Sequence, residues 1–150
     1  MIKIYTIGFT KKSAQQFFEL LERNNIKTVF DVRLNNSSQL SGFAKGKDLQ
    51  YFLRQILSVG YIHNIEFSPT KEILNNYKKG KIDWEKYERQ FSDLLSDRKL
   101  ERYIKEELFS KLDGMCFLCS EATPEKCHRR LVAEYIRDLF KNENIEIIHI

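Results

Sequence analysis

The sequence predicts an α/β fold: a single three-layer domain with a mainly parallel sheet flanked by helices. Two observations lead to it. Short β-rich runs alternate with helical patterns in the order β-α-β-α-β-ααα-β-α-β, which is typical of parallel sheets. The apolar run Met115–Cys119 shows no polar alternation, as expected of a strand that helices cover on both faces.

The amino-terminal residues predict a βαβ unit. Ile2–Ile7 is β-rich and ends at Gly8, and Ser13 can begin a helix because Ser13-x-x-Gln16 has the spacing of a capping box. Apolar residues then recur at helical spacing, at Ala14, Phe17, Phe18 and Leu21. Thr28–Val32 is the next apolar run, so we expect two parallel strands with a right-handed crossover.

A long polar segment follows the second strand. Leu34–Lys47 is irregular and long for a connection, which makes it a candidate functional loop. Asp48 can cap a second helix that ends at Gly60. The apolar face of that helix comprises Leu49, Phe52, Leu53, Ile56 and Leu57. Tyr61–Ile65 is a third candidate strand.

Three helical patterns occupy the middle of the chain. The first covers Thr70–Lys79, the second begins after Asp83, and the third covers about Lys99–Ser110. The apolar stripe of the second comprises Trp84, Tyr87, Phe91, Leu94 and Leu95.

The carboxyl-terminal segment contains the last helix. After the strand Met115–Cys119, Thr123 as N-cap and Pro124 at the first helical position begin this helix. Its apolar face comprises Leu131, Val132, Tyr135, Ile136 and Leu139. Ile145–Ile150 is a terminal strand.

Length and composition indicate one globular domain, residues 1–150. The chain has 150 residues, 42% of them hydrophobic and 31% charged, so it can bury a core, and disorder as the main state is excluded. No run approaches the roughly 18 uncharged residues of a membrane span. The amino terminus lacks the apolar stretch of a secretory signal, so we expect a cytoplasmic protein without membrane contact. Nothing in the sequence indicates an oligomeric state.

The net charge of +4 permits an anionic partner, nucleic acid included, but falls short of a polybasic arm. The three cysteines are Cys116, Cys119 and Cys127, and they lie close together in an otherwise cysteine-free chain. Their odd count and the missing secretion signal argue against a disulfide framework. The clustering is the first functional signal in the sequence.

Candidate functional residues follow the strands. Because ligands of open α/β sheets bind beyond the carboxyl ends of the strands, residues at these positions are expected to converge. The candidate catalytic residues are Asp31, Cys119, Glu121, Cys127 and His128. The candidate substrate-binding residues are Gly8, Thr10, Arg33, Asn35 and Arg129.

These residue types predict an enzyme that binds a small phosphate or carboxylate group. Cys119 is the first choice for a reactive thiol and Cys127 the second, since a nearby helix amino terminus can lower a thiol pKa. His128, Glu121 or Asp31 would transfer protons. The arginines at positions 33 and 129 would hold the anion.

Three alternatives to such an enzyme are a zinc site, a binding module and a purely structural cluster. A zinc site is not expected, because Cys116 and Cys119 point to opposite faces of a strand, and adjacent helical residues such as Cys127 and His128 are about 100° apart. No other cofactor is expected. A non-catalytic module binding nucleic acid, nucleotide or protein is suggested by Lys45, Lys47 and the lysines near Gly80. The Cys/His/Arg group can also be purely structural.

Four segments together resemble a known family. They are Ile4–Thr10 (IYTIGFT), Phe30–Arg33 (FDVR), Cys119–Arg129 (CSEATPEKCHR) and Ile147–Ile150 (IIHI). They resemble the prokaryotic family called domain of unknown function 488, over nearly the whole chain. The resemblance implies one α/β domain. It also implies a shared polar cluster at Gly8, Asp31, Arg33, Cys119, Glu121, Cys127, His128 and Arg129, but no particular reaction.

Overall fold

The structure, a computed structural model, describes residues 1–37 and 41–150. Its strands are β1 (Ile2–Gly8), β2 (Thr28–Asp31), β3 (Gly60–His63), β4 (Met115–Cys119) and β5 (Ile145–His149). They form one five-stranded sheet in the order β3-β2-β4-β1-β5, and all the pairs are parallel. The predicted α/β fold is therefore confirmed.

Helices cover both faces of the sheet. They are α1 (Ala14–Arg23), α2 (Gly46–Phe52), α3 (Lys71–Lys78), α4 (Trp84–Asp97), α5 (Glu101–Tyr103) and α6 (His128–Leu139). α2 and α5 continue as π-helical turns, Leu53–Leu57 and Ile104–Leu108, and short 3₁₀ turns occupy Gly42–Ala44, Ile65–Phe67 and Phe109–Lys111. Within the described ranges, every helix is too short or too polar to cross a membrane.

Local capping explains where three helices begin. The Ser13 hydroxyl accepts a hydrogen bond from the Gln16 amide at 3.1 Å, while the Gln16 side chain accepts one from the Ser13 amide at 2.9 Å. The Thr70 and Asp83 side chains accept in the same way from amides three residues later. Each cap satisfies amides that a helix leaves without a partner, so these starts were predictable from the sequence.

Two middle elements differ from their predicted bounds. α2 begins at Gly46 rather than after Asp48, because the Gly46 amide donates to the Asn36 carbonyl at 2.7 Å. β3 ends at His63 rather than Ile65, because the Asn64 side chain caps the following turn. The predicted functional loop Leu34–Lys47 lies partly outside the described residues, since 38–40 are not among them.

The last helix begins later than predicted. α6 starts at His128, four residues after Pro124, and Cys127 is its N-cap with extended backbone (φ −136°, ψ 136°). The preceding segment forms a turn, in which the Cys127 amide donates to the Pro124 carbonyl at 3.2 Å. Cys127 therefore precedes the helix and is not constrained to its surface.

Side chains of β4 alternate between two hydrophobic cores. Met115, Phe117 and Cys119 pack against α4 and α6, whereas Cys116 and Leu118 pack with α1 and α2 on the other face. All five are buried, which matches the uninterrupted apolar run. Truncating a core aromatic of this kind, such as Phe117, costs about 3–5 kcal/mol.

The topology brings three strand ends together. β4 lies between β1 and β2, with Gly8 opposite Cys119 and Asp31 opposite Leu118. Because the strands are parallel, the residues after β1, β2 and β4 emerge at the same edge of the sheet, and the amino terminus of α6 lies there too. A sheet edge where strand order reverses is the expected place for a ligand site.

Candidate active site

A cavity of about 340 Å³ opens at the carboxyl ends of β2 and β4. Six of the ten residues predicted from the sequence line it: Arg33, Asn35, Cys119, Glu121, Cys127 and His128. The other four, Gly8, Thr10, Asp31 and Arg129, do not line it. The opposite wall is aromatic and comes from α3 and α4, through Tyr77, Trp84 and Tyr87.

Cys119 and His128 face each other in this cavity. The Cys119 Sγ atom lies 3.6 Å from Nδ1 of His128. The other ring nitrogen, Nε2, lies 2.7 Å from the Val32 carbonyl oxygen, and because a carbonyl only accepts, Nε2 must carry hydrogen and donate. Nδ1 is therefore the nitrogen that can exchange a proton with the thiol. The Phe91 ring stands edge-on to the imidazole, with centroids 5.6 Å apart, and restrains its rotation.

The surroundings favour a thiolate at Cys119. The hydrogen bond from Cys127 is the main cause that lowers the pKa of Cys119 well below its usual value. Burial opposes this shift, but the charge and hydrogen bond of His128 and the backbone amide of Ser120 reinforce it. Burial, the largest single influence, lowers the pKa of His128, but the charge of Cys119 and the hydrogen bonds with Cys119 and the Val32 carbonyl together outweigh it, so the net shift is upward. Thiolate and imidazolium thus stabilise each other.

The other two cysteines differ from Cys119. Burial and the neighbouring Cys119 raise the pKa of Cys127 well above its usual value, so Cys127 stays a thiol that donates to the thiolate. Cys116 is fully buried on the opposite face of the sheet, as its strand position predicted, and burial raises its pKa. All three are free thiols.

The cluster also contains ligand types that metals use. Single ligand atoms of Cys119, Cys127 and His128 lie within 4.8 Å of one another, and thiolate and imidazole are ligands of Zn²⁺. The sequence argument that Cys127 and His128 diverge does not hold, because Cys127 precedes α6 instead of lying on it. Among residues 1–37 and 41–150, these three could therefore hold a thiophilic ion.

Asp31 holds Arg33 in place. The Asp31 carboxylate accepts from Nε of Arg33 at 2.9 Å and from Nη2 at 2.7 Å, and the Tyr61 hydroxyl donates to it at 2.5 Å. Nη2 of Arg33 also donates to the Ala44 carbonyl at 2.7 Å. With both carboxylate oxygens occupied, Asp31 is placed to orient the guanidinium rather than to transfer protons.

One guanidinium nitrogen of Arg33 remains unused. Arg33 is 3% exposed, and its Nη1 has no hydrogen-bond partner among the described residues. A buried charged donor without a partner is costly, so it calls for an explanation, of which an acceptor supplied by a bound ion is one. Burial lowers the pKa of Arg33, but the hydrogen bond and charge of Asp31, with smaller contributions from Tyr61 and Cys119, raise it overall, so the guanidinium and the thiolate interact electrostatically.

Arg129, Thr10 and Gly8 shape the loop after β4. Nη1 of Arg129 donates to the Glu121 carbonyl at 2.6 Å, and its Nε lies 3.4 Å from the Thr6 hydroxyl. The Thr10 hydroxyl donates to the Ser120 carbonyl at 2.5 Å. Gly8 lies directly against the Glu121 carbonyl, where a Cβ atom would collide with the oxygen. These residues fix the backbone that carries Cys119 and Glu121, rather than contacting the cavity.

Sequence reasoning missed several site residues. Tyr61 and Thr6 contribute hydrogen bonds from strands, and no local pattern marks a strand hydroxyl as functional. Trp84 and Tyr87 were assigned to an apolar helix stripe, although they line the cavity. The sequence placed both at the start of α4, but only the structure shows that this helix packs beside α6.

Comparison with known proteins identifies one relationship. A family model described as "Domain of unknown function DUF488" matches residues 13–136. No curated protein and no solved structure matches the chain. The matched range includes β2, β4 and the Cys119–Arg129 segment, and therefore the residues that line the cavity.

Proposed function

Because this chain belongs to the DUF488 family, whose description assigns no reaction, we propose its function from the site: a cysteine-dependent enzyme that acts on a small substrate carrying a phosphate or carboxylate group. The observation that carries the proposal is the Cys119–His128 pair, 3.6 Å apart, with the imidazole oriented by the Val32 carbonyl. A nucleophile, its base and a group that orients the base are the parts that covalent catalysis requires.

The proposed reaction is transfer of an acyl group. With the Cys119 proton held on His128 Nδ1, the thiolate sulfur attacks the carbonyl carbon of the substrate. The bond to the leaving group breaks with its electron pair, and the leaving group takes the proton from His128. Water then hydrolyses the thioester, which yields the carboxylic acid and restores the thiol.

Arg33 supplies the binding contact. Its Nη1 donor has no partner among the described residues, and the side chain lines the same cavity as Cys119. An anionic group on the substrate would accept from this nitrogen in a charge-assisted hydrogen bond. Glu121 also lines the cavity with an exposed side chain and is a candidate to activate the hydrolytic water.

The nucleophile is tested with p-nitrophenyl acetate, an activated ester that needs no specific binding group. We expect a burst of p-nitrophenolate equal to the enzyme concentration, abolished in Cys119→Ala and retained in Cys116→Ala. Cys116→Ala is the matched control because that thiol is buried on the opposite face of the sheet. A full burst from Cys119→Ala would refute Cys119 as the nucleophile.

The anion contact is tested by protection. Inorganic phosphate and acetate should slow the alkylation of Cys119 by iodoacetamide in the wild-type protein. Arg33→Lys keeps the charge but loses the fork of donors. The anion concentration needed to protect Cys119 should then rise at least about tenfold, which corresponds to the loss of one charged hydrogen bond. Arg54→Lys, which changes an arginine outside the cavity, is the control. Equal protection in all three proteins would refute the assignment.

Metal content separates this proposal from a metalloenzyme. Cys119 must be free of metal to act as nucleophile, so protein treated with a chelator should keep its full ester burst. If purified protein holds one equivalent of Zn²⁺ and its burst depends on that ion, the cysteine mechanism is wrong.

A further inference from the structure

Cys119 and Cys127 form a pair of unlike thiols within one cavity. From their geometry we propose that they are a redox-active dithiol: a hydroperoxide oxidises Cys119, and Cys127 resolves the product as a disulfide. The proposal rests on Cys119 being the reactive thiol, as in the proposed function, but it adds a second reaction and a role for Cys127. The acyl transfer proposed for Cys119, His128 and Arg33 does not need Cys127 as a resolving thiol.

Proximity is the first observation. The two Sγ atoms lie within 4.8 Å of each other, and both residues are free cysteines that line the cavity. A disulfide requires a sulfur separation of about 2.05 Å, so the atoms must approach further. Cys127 is an N-cap, and residues 120–126 before it belong to no helix or strand. Ser120 and Glu121 are anchored, so the approach can come from residues 122–127 while the sheet stays in place.

The chemistry balances with a hydroperoxide as oxidant. The Cys119 thiolate attacks the outer oxygen of the peroxide, the O–O bond breaks, and the departing alkoxide or hydroxide takes a proton, leaving a sulfenic acid on Cys119. The Cys127 sulfur attacks that sulfenic sulfur, and hydroxide leaves and takes the Cys127 proton as water. Two thiols are thereby oxidised by two electrons and one peroxide bond is reduced.

The two environments suit these two roles. The hydrogen bond from Cys127 favours the thiolate on Cys119, which attacks peroxide, whereas burial and Cys119 keep Cys127 protonated until it is needed. Cys116 cannot take either role, since it is fully buried and packs on the other face of the sheet. The disulfide would remove the nucleophile from the proposed enzyme, and a dithiol reductant would restore it.

The test uses Cys116→Ala protein, in which Cys119 is the only cysteine within residues 115–126. A peptide from this segment that carries a disulfide must then be linked through Cys119. After treatment with hydrogen peroxide and digestion without reductant, we expect a disulfide joining Cys119 to Cys127 that dithiothreitol reverses. With Cys127→Ala added, Cys119 should instead gain two oxygen atoms as sulfinic acid. With Cys119→Ala added, Cys127 should stay reduced under the same treatment.

Two results would overturn the inference, and they differ in what else they affect. If Cys119 is alkylated rapidly by iodoacetamide but peroxide converts it to sulfinic acid with Cys127 still free, only the dithiol proposal fails. If Cys119 is inert to both reagents in the folded protein, the dithiol proposal and the proposed function fail together.

Discussion

The carboxylate of Asp31 and the guanidinium of Arg33 form a two-point ion pair inside the protein. Nε meets Oδ1 at 2.9 Å and Nη2 meets Oδ2 at 2.7 Å, and the side chains are 0% and 3% exposed. Such a pair contributes little when compared with apolar residues, but breaking it leaves a charge buried without a partner. Its role is therefore positional: it holds Arg33, whose Nη1 has no hydrogen-bond partner among the described residues.

Asp31→Asn should destabilise the protein strongly. The substitution leaves the Arg33 charge buried and uncompensated, which lowers the free energy of unfolding by about 3–5 kcal/mol in comparable cases. Urea denaturation measures the change. Glu106→Gln is the control, because its pair with Arg102 is exposed and should change stability by less than about 1 kcal/mol. Equal, small effects of both substitutions would mean that the buried pair does not hold Arg33.

The alkylation rate of Cys119 should depend weakly on pH. For an ordinary thiol with a pKa of about 8.5, the thiolate fraction rises roughly 16-fold from pH 7 to pH 8.5. Because the pKa of Cys119 is lowered well below its usual value, more of the thiol is ionised at pH 7, and its rate should rise clearly less than about 16-fold over this range. A rate that rises as steeply as that of an ordinary thiol would contradict the lowered pKa.

His128→Asn tests the cause of that profile. Loss of the imidazolium charge and hydrogen bond should raise the pKa of Cys119 and move the whole alkylation profile to higher pH. The hydrogen bond from Cys127 remains in this variant, so the shift should be partial. A profile identical to that of the wild type would show that His128 does not stabilise the thiolate.

Gly8→Ala should lower stability because the added methyl group has no space. A Cβ atom at Gly8 would collide with the Glu121 carbonyl oxygen, so the loop after β4 must move, at a cost of about 1–3 kcal/mol. Gly60→Ala is the control, since the nearest atom to its Cβ would be the Thr28 hydroxyl at 3.5 Å, an ordinary contact. We expect thermal denaturation to separate the two variants, with Gly60→Ala close to wild type.

Most elements of the fold that could be predicted were predicted from signals within a few neighbouring residues. The Ser13, Thr70 and Asp83 caps and the apolar run of β4 act within a few residues, so they can be read from the sequence. The start of α6 was placed too early because Thr123 and Pro124 carry the same local signal, while the turn that Pro124 closes with Cys127 prevails. No local pattern distinguishes these outcomes.

The site was predictable to the extent that topology determines it. Parallel strands bring residues 33, 119 and 128 to one edge, which the order of elements already implied. The contacts that assign their roles are long-range: Tyr61 donates to Asp31, 30 residues away, and His128 donates to Val32, 96 residues away. Such separations depend on the packed structure, so the sequence could not show that Asp31 orients Arg33 or which nitrogen of His128 is engaged by the Val32 carbonyl.

Arg129→Met should distinguish a framework residue from an anion-binding one. Arg129 is 1% exposed and does not line the cavity, and its guanidinium already donates to the Glu121 carbonyl and lies near the Thr6 hydroxyl. Removing it deprives the partly buried Glu121 carbonyl of its charged donor, which costs about 1.5–3 kcal/mol. We therefore expect a lower urea midpoint than for Arg130→Met, whose arginine is partly exposed. Phosphate should protect Cys119 at an unchanged concentration in Arg129→Met. If stability stays at the wild-type level while protection by phosphate disappears, Arg129 binds the anion directly, as its type and position in the sequence first suggested.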